Sequence, residues 1–187
     1  MMLVADKPIA FIDIETSGLW PWKHEILELA CIRRAGDEVV RWSRKITPSA
    51  IHKADSKALE IIGYSPEAWE DSISLTEAFE EMRPLMRGAV LCGHNIRFDL
   101  DFIDRNMKKA TGTGRGFNHT LDTMTLAYEH LQEACGSSLS LARVCDVLGI
   151  SNEGAHGALV DCERTMLVYD KLHRASAWNR LIWRLSA

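Results

Sequence analysis

An unbroken apolar run, Ile9-Ala10-Phe11-Ile12, leads directly into Asp13-Ile14-Glu15 near the start of the chain. A run of this kind with β-branched members reads as a buried strand over residues 8–14. Acids two apart on a strand leave the same face. Burying two carboxylates beside an apolar strand is expensive unless cations or partners neutralise them. The fold must therefore deliver compensation to the end of this strand, which Ser17-Gly18 closes with a turn.

The rest of the pattern is arranged around that strand. Residues 25–33, with Ile26, Leu27, Leu29, Cys31 and Ile32, read as a second strand. Residues 38–46 alternate Val39, Val40, Trp42 and Ile46 with charges, as a half-exposed third strand does. Gly36-Asp37 turns between them, so a meander is expected. Helical spacing follows over 56–62, ended by Gly63. It recurs over 75–86, where Leu75, Ala78, Phe79 and Met82 share a face and Ser74 or Thr76 is placed to cap. Residues 89–92 predict a short buried strand running into Gly93-His94-Asn95, followed by a helix over 98–109. Residues 121–130 and 140–148 read as helices, and a last helix starts near Gly157 and runs past Lys171. The glycine-dense stretch 111–116 follows a helix instead of opening one, so it reads as a flexible loop and not a dinucleotide cradle.

A meander followed by alternating helices and strands is an α/β pattern. The 187 residues, 47% of them hydrophobic, can bury a real core, and no repeat or linker divides them. One domain over 1–187 is expected, with a core of about 8–172 and a C-terminal helical extension of about 173–187. In that extension Trp178, Leu181, Ile182 and Leu185 have helical spacing, with Trp183 nearby. The pattern suits packing onto its own domain or docking on a polymerase, another protein or a second copy. Five cysteines with no paired ligand spacing read as reduced, buried thiols of a cytosolic protein. Asp6, Lys7 and Pro8 interrupt the apolar start, so no secretion signal is expected. No stretch approaches the ~20 apolar residues that cross a bilayer. The 22 basic and 26 acidic side chains leave a net charge of −4, which argues against a coating-type nucleic-acid binder. An enzyme that grips one strand end remains compatible with that balance. The group Lys108, Lys109 and Arg115 is the best cluster for phosphate contacts, and Trp20 and Trp22 could stack on a base or wall a pocket.

Two further motifs carry acids. Asp99 ends Gly93-His94-Asn95-Ile96-Arg97-Phe98-Asp99, and alone it would be an ordinary acid in a first helical turn. His156-Gly157-Ala158-Leu159-Val160-Asp161 separates its histidine and aspartate by five positions, which does not stack them on one helix face. That spacing puts His156 on the loop before the last helix and Asp161 within its first turns. Hard oxygen ligands gathered without cysteine suit Mg²⁺ or Mn²⁺, and a nearby histidine suits proton transfer. The constellation points to a two-metal phosphodiester hydrolase.

The three motifs, in this order and spacing, resemble the DEDDh branch of the DnaQ-like 3′–5′ exonucleases, a superfamily that includes polymerase proofreading subunits, ribonuclease T and oligoribonuclease. The resemblance runs from about Pro8 to Leu172, and the string from His156 to Asp161 is most like that of the DNA polymerase III epsilon-type proofreading exonucleases. Leu121-Asp122-Thr123 and Ser138-Leu139-Ser140-Leu141 also fit, while Ser17 replaces a threonine common in the first motif. The resemblance implies a ribonuclease H-like fold, a mixed five-stranded sheet flanked by helices. It implies Asp13, Glu15, Asp99 and Asp161 as ligands of two divalent cations, Mg²⁺ or Mn²⁺, and His156 as general base. It also implies that Thr16, Ser17, Gly18 and Leu19 hold a 3′-terminal nucleotide, with Phe98 packed near it. The expected partner is the single-stranded 3′ end of a nucleic acid, DNA in preference to RNA, with no membrane. The competing expectations are a 3′–5′ exoribonuclease and a non-catalytic nucleic-acid-binding module.

Overall fold

In the computed structural model, which describes residues 6–116, 118–173 and Trp183, the apolar run becomes the middle strand of a sheet. β1 (Ile9–Thr16), β2 (Ile26–Ala35) and β3 (Glu38–Lys45) form the antiparallel meander. β4 (Val90–Gly93) and β5 (Thr120–Asp122) join in parallel on the other side of β1, giving the order β3-β2-β1-β4-β5. The helices are α1 (Ser56–Ile61), α2 (Leu75–Met86), α3 (Ile96–Thr111), α4 (Thr123–Cys135), α5 (Leu141–Leu148) and α6 (Ala158–His173). The result is the mixed five-stranded sheet flanked by helices that the motifs imply.

Both faces of β1 are covered, which is why its apolar run is unbroken. Ala10, Ile12 and Ile14 pack with Phe79 and Met82 of α2 and with Leu100, Phe102 and Ile103 of α3. Phe11 faces the opposite way, onto Ala158, Cys162 and Tyr169 of α6. Strand alternation therefore sends Asp13 and Glu15 to the α6 side, with Phe11. The pairing of β1 with β2 slips between Glu15 and Thr16, so that Glu15 faces Glu28 while Thr16 faces Ile26. A bulge of this kind re-aims the side chains at the strand end. A further apolar cluster joins α4, α5 and α6 around Leu131, Val144, Leu148 and Val168, with Trp183 packed against it. Trp178, Leu181, Ile182 and Leu185 lie outside the described residues.

Local chemistry explains the helix starts. Ser74 and Glu77 form a reciprocal capping box at α2. Asn95 takes a left-handed conformation (φ 62°) between β4 and α3, so α3 begins at Ile96, two residues earlier than expected. Close approach at this corner demands Gly93, where a Cβ would fall 2.9 Å from that of Ile96. The glycine-dense stretch is a loop: Gly112 ends α3, and Arg83 binds Thr111 Oγ1 (2.7 Å) and the Gly114 carbonyl (3.0 Å). All five cysteines are buried and free. No helix among the described residues is long and apolar enough to cross a membrane.

One element departs from expectation. The helix expected over 121–130 is preceded by a strand: β5 covers Thr120–Asp122 and α4 starts at Thr123. Three residues at a sheet edge are too few to show a period, and their strand character comes from pairing with β4. Asp122 ends the strand and caps the helix. Its Oδ1 accepts from the backbone N–H groups of Met124 (2.8 Å) and Asn95 (2.9 Å), tying β5 and α4 to the corner that starts α3. Asp122→Ala should cost about 1–2 kcal/mol, the usual scale for losing an N-cap acceptor, whereas Asp122→Asn should cost less than half of that. Urea unfolding of both variants measures this, and an alanine variant as stable as the parent would contradict it.

Candidate active site

At the end of β1 the carboxylates of Asp13, Glu15 and Asp161 come together, each offering one oxygen within 4.8 Å of the others. The two strand acids share a face through alternation, and Asp161 reaches them from the first turn of α6. A carboxylate in that turn is favoured by the unpaired N–H groups of the helix start. Asp99, buried in the first turn of α3, is not within that 4.8 Å set. Its Oδ1 accepts the Ile14 N–H at 3.1 Å, which binds the start of α3 to β1 directly beside Asp13.

The electrostatics of this arrangement are adverse. Burial, and then the charges of Asp161 and Glu28, push the Glu15 carboxyl up to about 8. Burial also holds Asp13 well above the usual carboxylate range, reinforced by Asp99, Glu15, Asp161 and Glu28. Asp99 is raised by burial too, although the Ile14 N–H pulls the other way. Carboxylates crowded this closely cannot all ionise without a counter-charge. A set of hard oxygen donors with no thiolate among them fits a divalent cation such as Mg²⁺ or Mn²⁺.

Two members of the surroundings were not read from the sequence. Glu28 lies directly opposite Glu15 on β2, and a charge in the middle of Ile26-Leu27-Glu28-Leu29-Ala30 was the available signal. Arg164 is buried and its Nη1 donates to Asp161 Oδ1 at 2.6 Å. It also bonds the Asn152 carboxamide on the loop before α6. Its only sequence signal was the three-residue spacing from Asp161. Asn152 in turn donates to Asp146 Oδ1 (2.6 Å) and the Ala142 carbonyl (3.1 Å), so the loop is anchored on α5.

His156 lies on that loop, exposed, with a left-handed φ of 70°, two residues before α6 begins. It is not within the 4.8 Å acidic set. His94, by contrast, is structural: its Nε2 donates to the Leu139 carbonyl (2.7 Å) and its Nδ1 meets Thr123 Oγ1 (3.0 Å).

The turn after β1 is built by the residues that make it. Thr16 Oγ1 donates to the Gly18 carbonyl (2.8 Å), and Ser17 Oγ accepts the Glu25 N–H (2.8 Å). Thr16, Ser17 and Gly18 are thereby buried, with the Ser17 hydroxyl committed to the turn, while Leu19 is exposed. Gly18 has φ 150°, and a Cβ there would fall 2.4 Å from the His24 imidazole. Phe98 is half-buried against the core beneath α3, its ring 5.1 Å from that of Phe102. Of the basic cluster, Arg115 is bound by both oxygens of Asp104 (2.6 and 3.1 Å), so its charge is already compensated.

Comparison with known proteins follows the same lines. Residues 10–169 match the family model RNase_T, described as exonuclease. The chain is 30% identical over 165 residues to a DNA polymerase III PolC-type of Thermotoga maritima, covering 88% of this chain and 12% of that protein. It is 32% identical over 175 residues to a ribonuclease T of Marinobacter nauticus, covering 82% of this chain and 76% of that one. The chain thus spans about an eighth of the PolC-type relatives but most of the ribonuclease T. Among solved structures, E. coli exonuclease I in complex with a dA16 oligonucleotide superposes with a TM-score of 0.73 at 20% identity, over 89% of this chain and 41% of that one. That likeness establishes the ribonuclease H-like fold.

The raised Glu15 carboxyl makes stability depend on pH in a defined direction. Below about 4.5, its ordinary value, the group is protonated in folded and unfolded chains alike, and its contribution is fully present. Between about 4.5 and about 8 the unfolded chain ionises while the folded one resists, so stability falls across that window. Thermal unfolding in EDTA should show this fall, and added Mg²⁺ should abolish it. A metal-free protein most stable near pH 8 would contradict the arrangement.

Proposed function

We propose, from the premise that this chain belongs to the exonuclease family and is a 3′–5′ exonuclease hydrolase, that it releases nucleoside 5′-monophosphates from the 3′ end of single-stranded DNA. The observation that carries this reading is the convergence of Asp13, Glu15 and Asp161 at the end of β1, with Asp99 beside them. Held there by those four carboxylates, two Mg²⁺ or Mn²⁺ ions would neutralise phosphoryl charge, acidify a water and stabilise a departing 3′-oxyanion.

The chain's own groups complete the site. His156 accepts the proton of the attacking water on an imidazole nitrogen. Its exposed place on the loop before α6, on the same segment that delivers Asp161, supports this role. Arg164 orients Asp161 through its 2.6 Å bond. The closed turn of Thr16, Ser17 and Gly18 holds the terminal nucleotide by carrying the exposed Leu19 to it, with Phe98 packed near it. A free 3′ end costs little to unstack, which suits a single-stranded substrate.

The PolC-type relatives and an exonuclease I crystallised with a deoxyadenylate strand support DNA. An RNA substrate is the second reading, favoured by the ribonuclease T that matches over most of its own length. Digestion of matched 3′-labelled and 5′-labelled DNA and RNA oligomers with Mg²⁺ or Mn²⁺ decides between them and reports polarity. Asp13→Ala should abolish divalent-dependent mononucleotide release while leaving the fold intact. Asp161→Ala should abolish it too, with a loss of stability because Arg164 is left without its buried partner. His156→Ala should lower turnover by about 10²-fold, the scale of a lost general base. Near-parental turnover in the histidine variant would remove His156 from the mechanism.

A further inference from the structure

Of the seven large hydrophobic side chains exposed among the described residues, three fall within four positions: Leu19 (69% exposed), Trp20 (52%) and Trp22 (66%). The two indoles lie side by side, with ring centroids 5.1 Å apart and planes inclined by 36°. Leaving two indoles in water is unfavourable, because each exposes a large apolar face that burial elsewhere would remove. No core packing explains them, and they sit on the turn that leaves the acid-bearing strand.

The turn beneath them is closed by hydrogen bonds. The Trp20 carbonyl accepts from the Lys23 N–H (3.0 Å) and the His24 N–H (2.8 Å). The Trp20 N–H closes the ring by donating to His24 Nδ1 (3.0 Å). Pro21 stands at the second position of this four-residue turn, where its locked φ is pre-set for the geometry. The His24 imidazole is itself buried under Gly18. The backbone that carries both indoles is thus held by its own hydrogen bonds, and the turn has little conformational freedom to lose when a ligand covers them.

Charge argues for what that ligand is. The net charge is −4. Arg34, Arg41, Arg44, Arg97 and Arg115 are each paired with a carboxylate. Long-range attraction for a polyanion is therefore weak, and affinity has to come from contacts indifferent to charge. Stacking of bases on aromatic rings is such a contact, and every base offers a face to it. Trp20 follows Glu15 by five residues, so it can lie no more than about 18 Å from it along the chain.

We infer that Trp20 and Trp22 form a base-stacking platform for the unpaired nucleotides just upstream of the 3′ terminus, and that this platform selects single strands. The inference rests on the nuclease reading for what lies beside it. Bases in a duplex are covered on both faces and cannot use the platform, so the preference for unpaired strands follows from the same contact.

The test uses the full chain with Trp20→Ala, Trp22→Ala, both together, and the Trp20→Phe/Trp22→Phe pair. KM and kcat are measured with Mg²⁺ on single-stranded 12-mers of oligothymidylate and oligouridylate and on a blunt duplex. The Kd of each single strand is measured by fluorescence anisotropy in EDTA, and particle mass by sedimentation. The double alanine variant should raise single-strand KM and Kd at least about tenfold, leave kcat and the duplex KM unchanged, and keep the parental mass. The phenylalanine pair should recover most of the loss. Unchanged KM and Kd, a fall in kcat alone, or an altered mass that assigns the rings to a second copy would each overturn the platform. If the parent cuts no strand at all, the nuclease reading falls, and the anisotropy titration still decides the stacking.

Discussion

The architecture turns on a repulsion. Asp13, Glu15 and Asp161 bring oxygens within 4.8 Å of one another in a partly buried site, with Asp99 and Glu28 close enough to reinforce the repulsion. Nothing in the hydrophobic effect favours this, and left alone the carboxyls resist ionisation. The surrounding structure holds them in place nonetheless: β1 is clamped between α2 and α3 on one face and α6 on the other. A scaffold that supports such crowding is one prepared for cations, which convert the repulsion into a binding site.

Each acid is held by a different device. Alternation along β1 and the slip in its pairing with β2 aim Asp13 and Glu15. The left-handed corner at Asn95 and the close approach at Gly93 start α3 where Asp99 can take the Ile14 N–H. Arg164 supplies Asp161 with a buried cation and, through Asn152, links it to α5. Asn152 and His156 share one loop, so that anchor lies four residues from the imidazole. Breaking such a buried pair from one side leaves an uncompensated charge, which makes Arg164 part of the site's construction.

The site was unevenly legible in the sequence. Asp13 and Glu15 stood out because two acids interrupt an apolar run, and the spacing of two says that they share a face. Leu75 to Met86 showed both its helical period and its cap, and both are present. β5 did not show, because three residues at a sheet edge carry no period and owe their conformation to β4. Glu28 carries no local signal of its place, since only the register with β1 puts it opposite Glu15. Arg115 belongs to the best candidate cluster for phosphate contacts, but its pairing with Asp104, eleven residues away, is set by the fold.

What the sequence determined by itself was chemistry and order: which residue types are present, at what spacing, on what kind of element, and that five of them match the motifs of one exonuclease branch. Those properties are local, set by backbone periodicity and by the few residues that cap or turn it. What only the tertiary structure decided was distance. Residues 148 positions apart, Asp13 and Asp161, meet because β1 is central and α6 crosses it, and no local rule contains that separation. The same packing decided which charges are already paired, which hydroxyls are committed to the turn, and that Trp20 and Trp22 are left facing water. Burial and pairing are properties of neighbours brought from elsewhere in the chain, so they come into being only when the chain closes on itself.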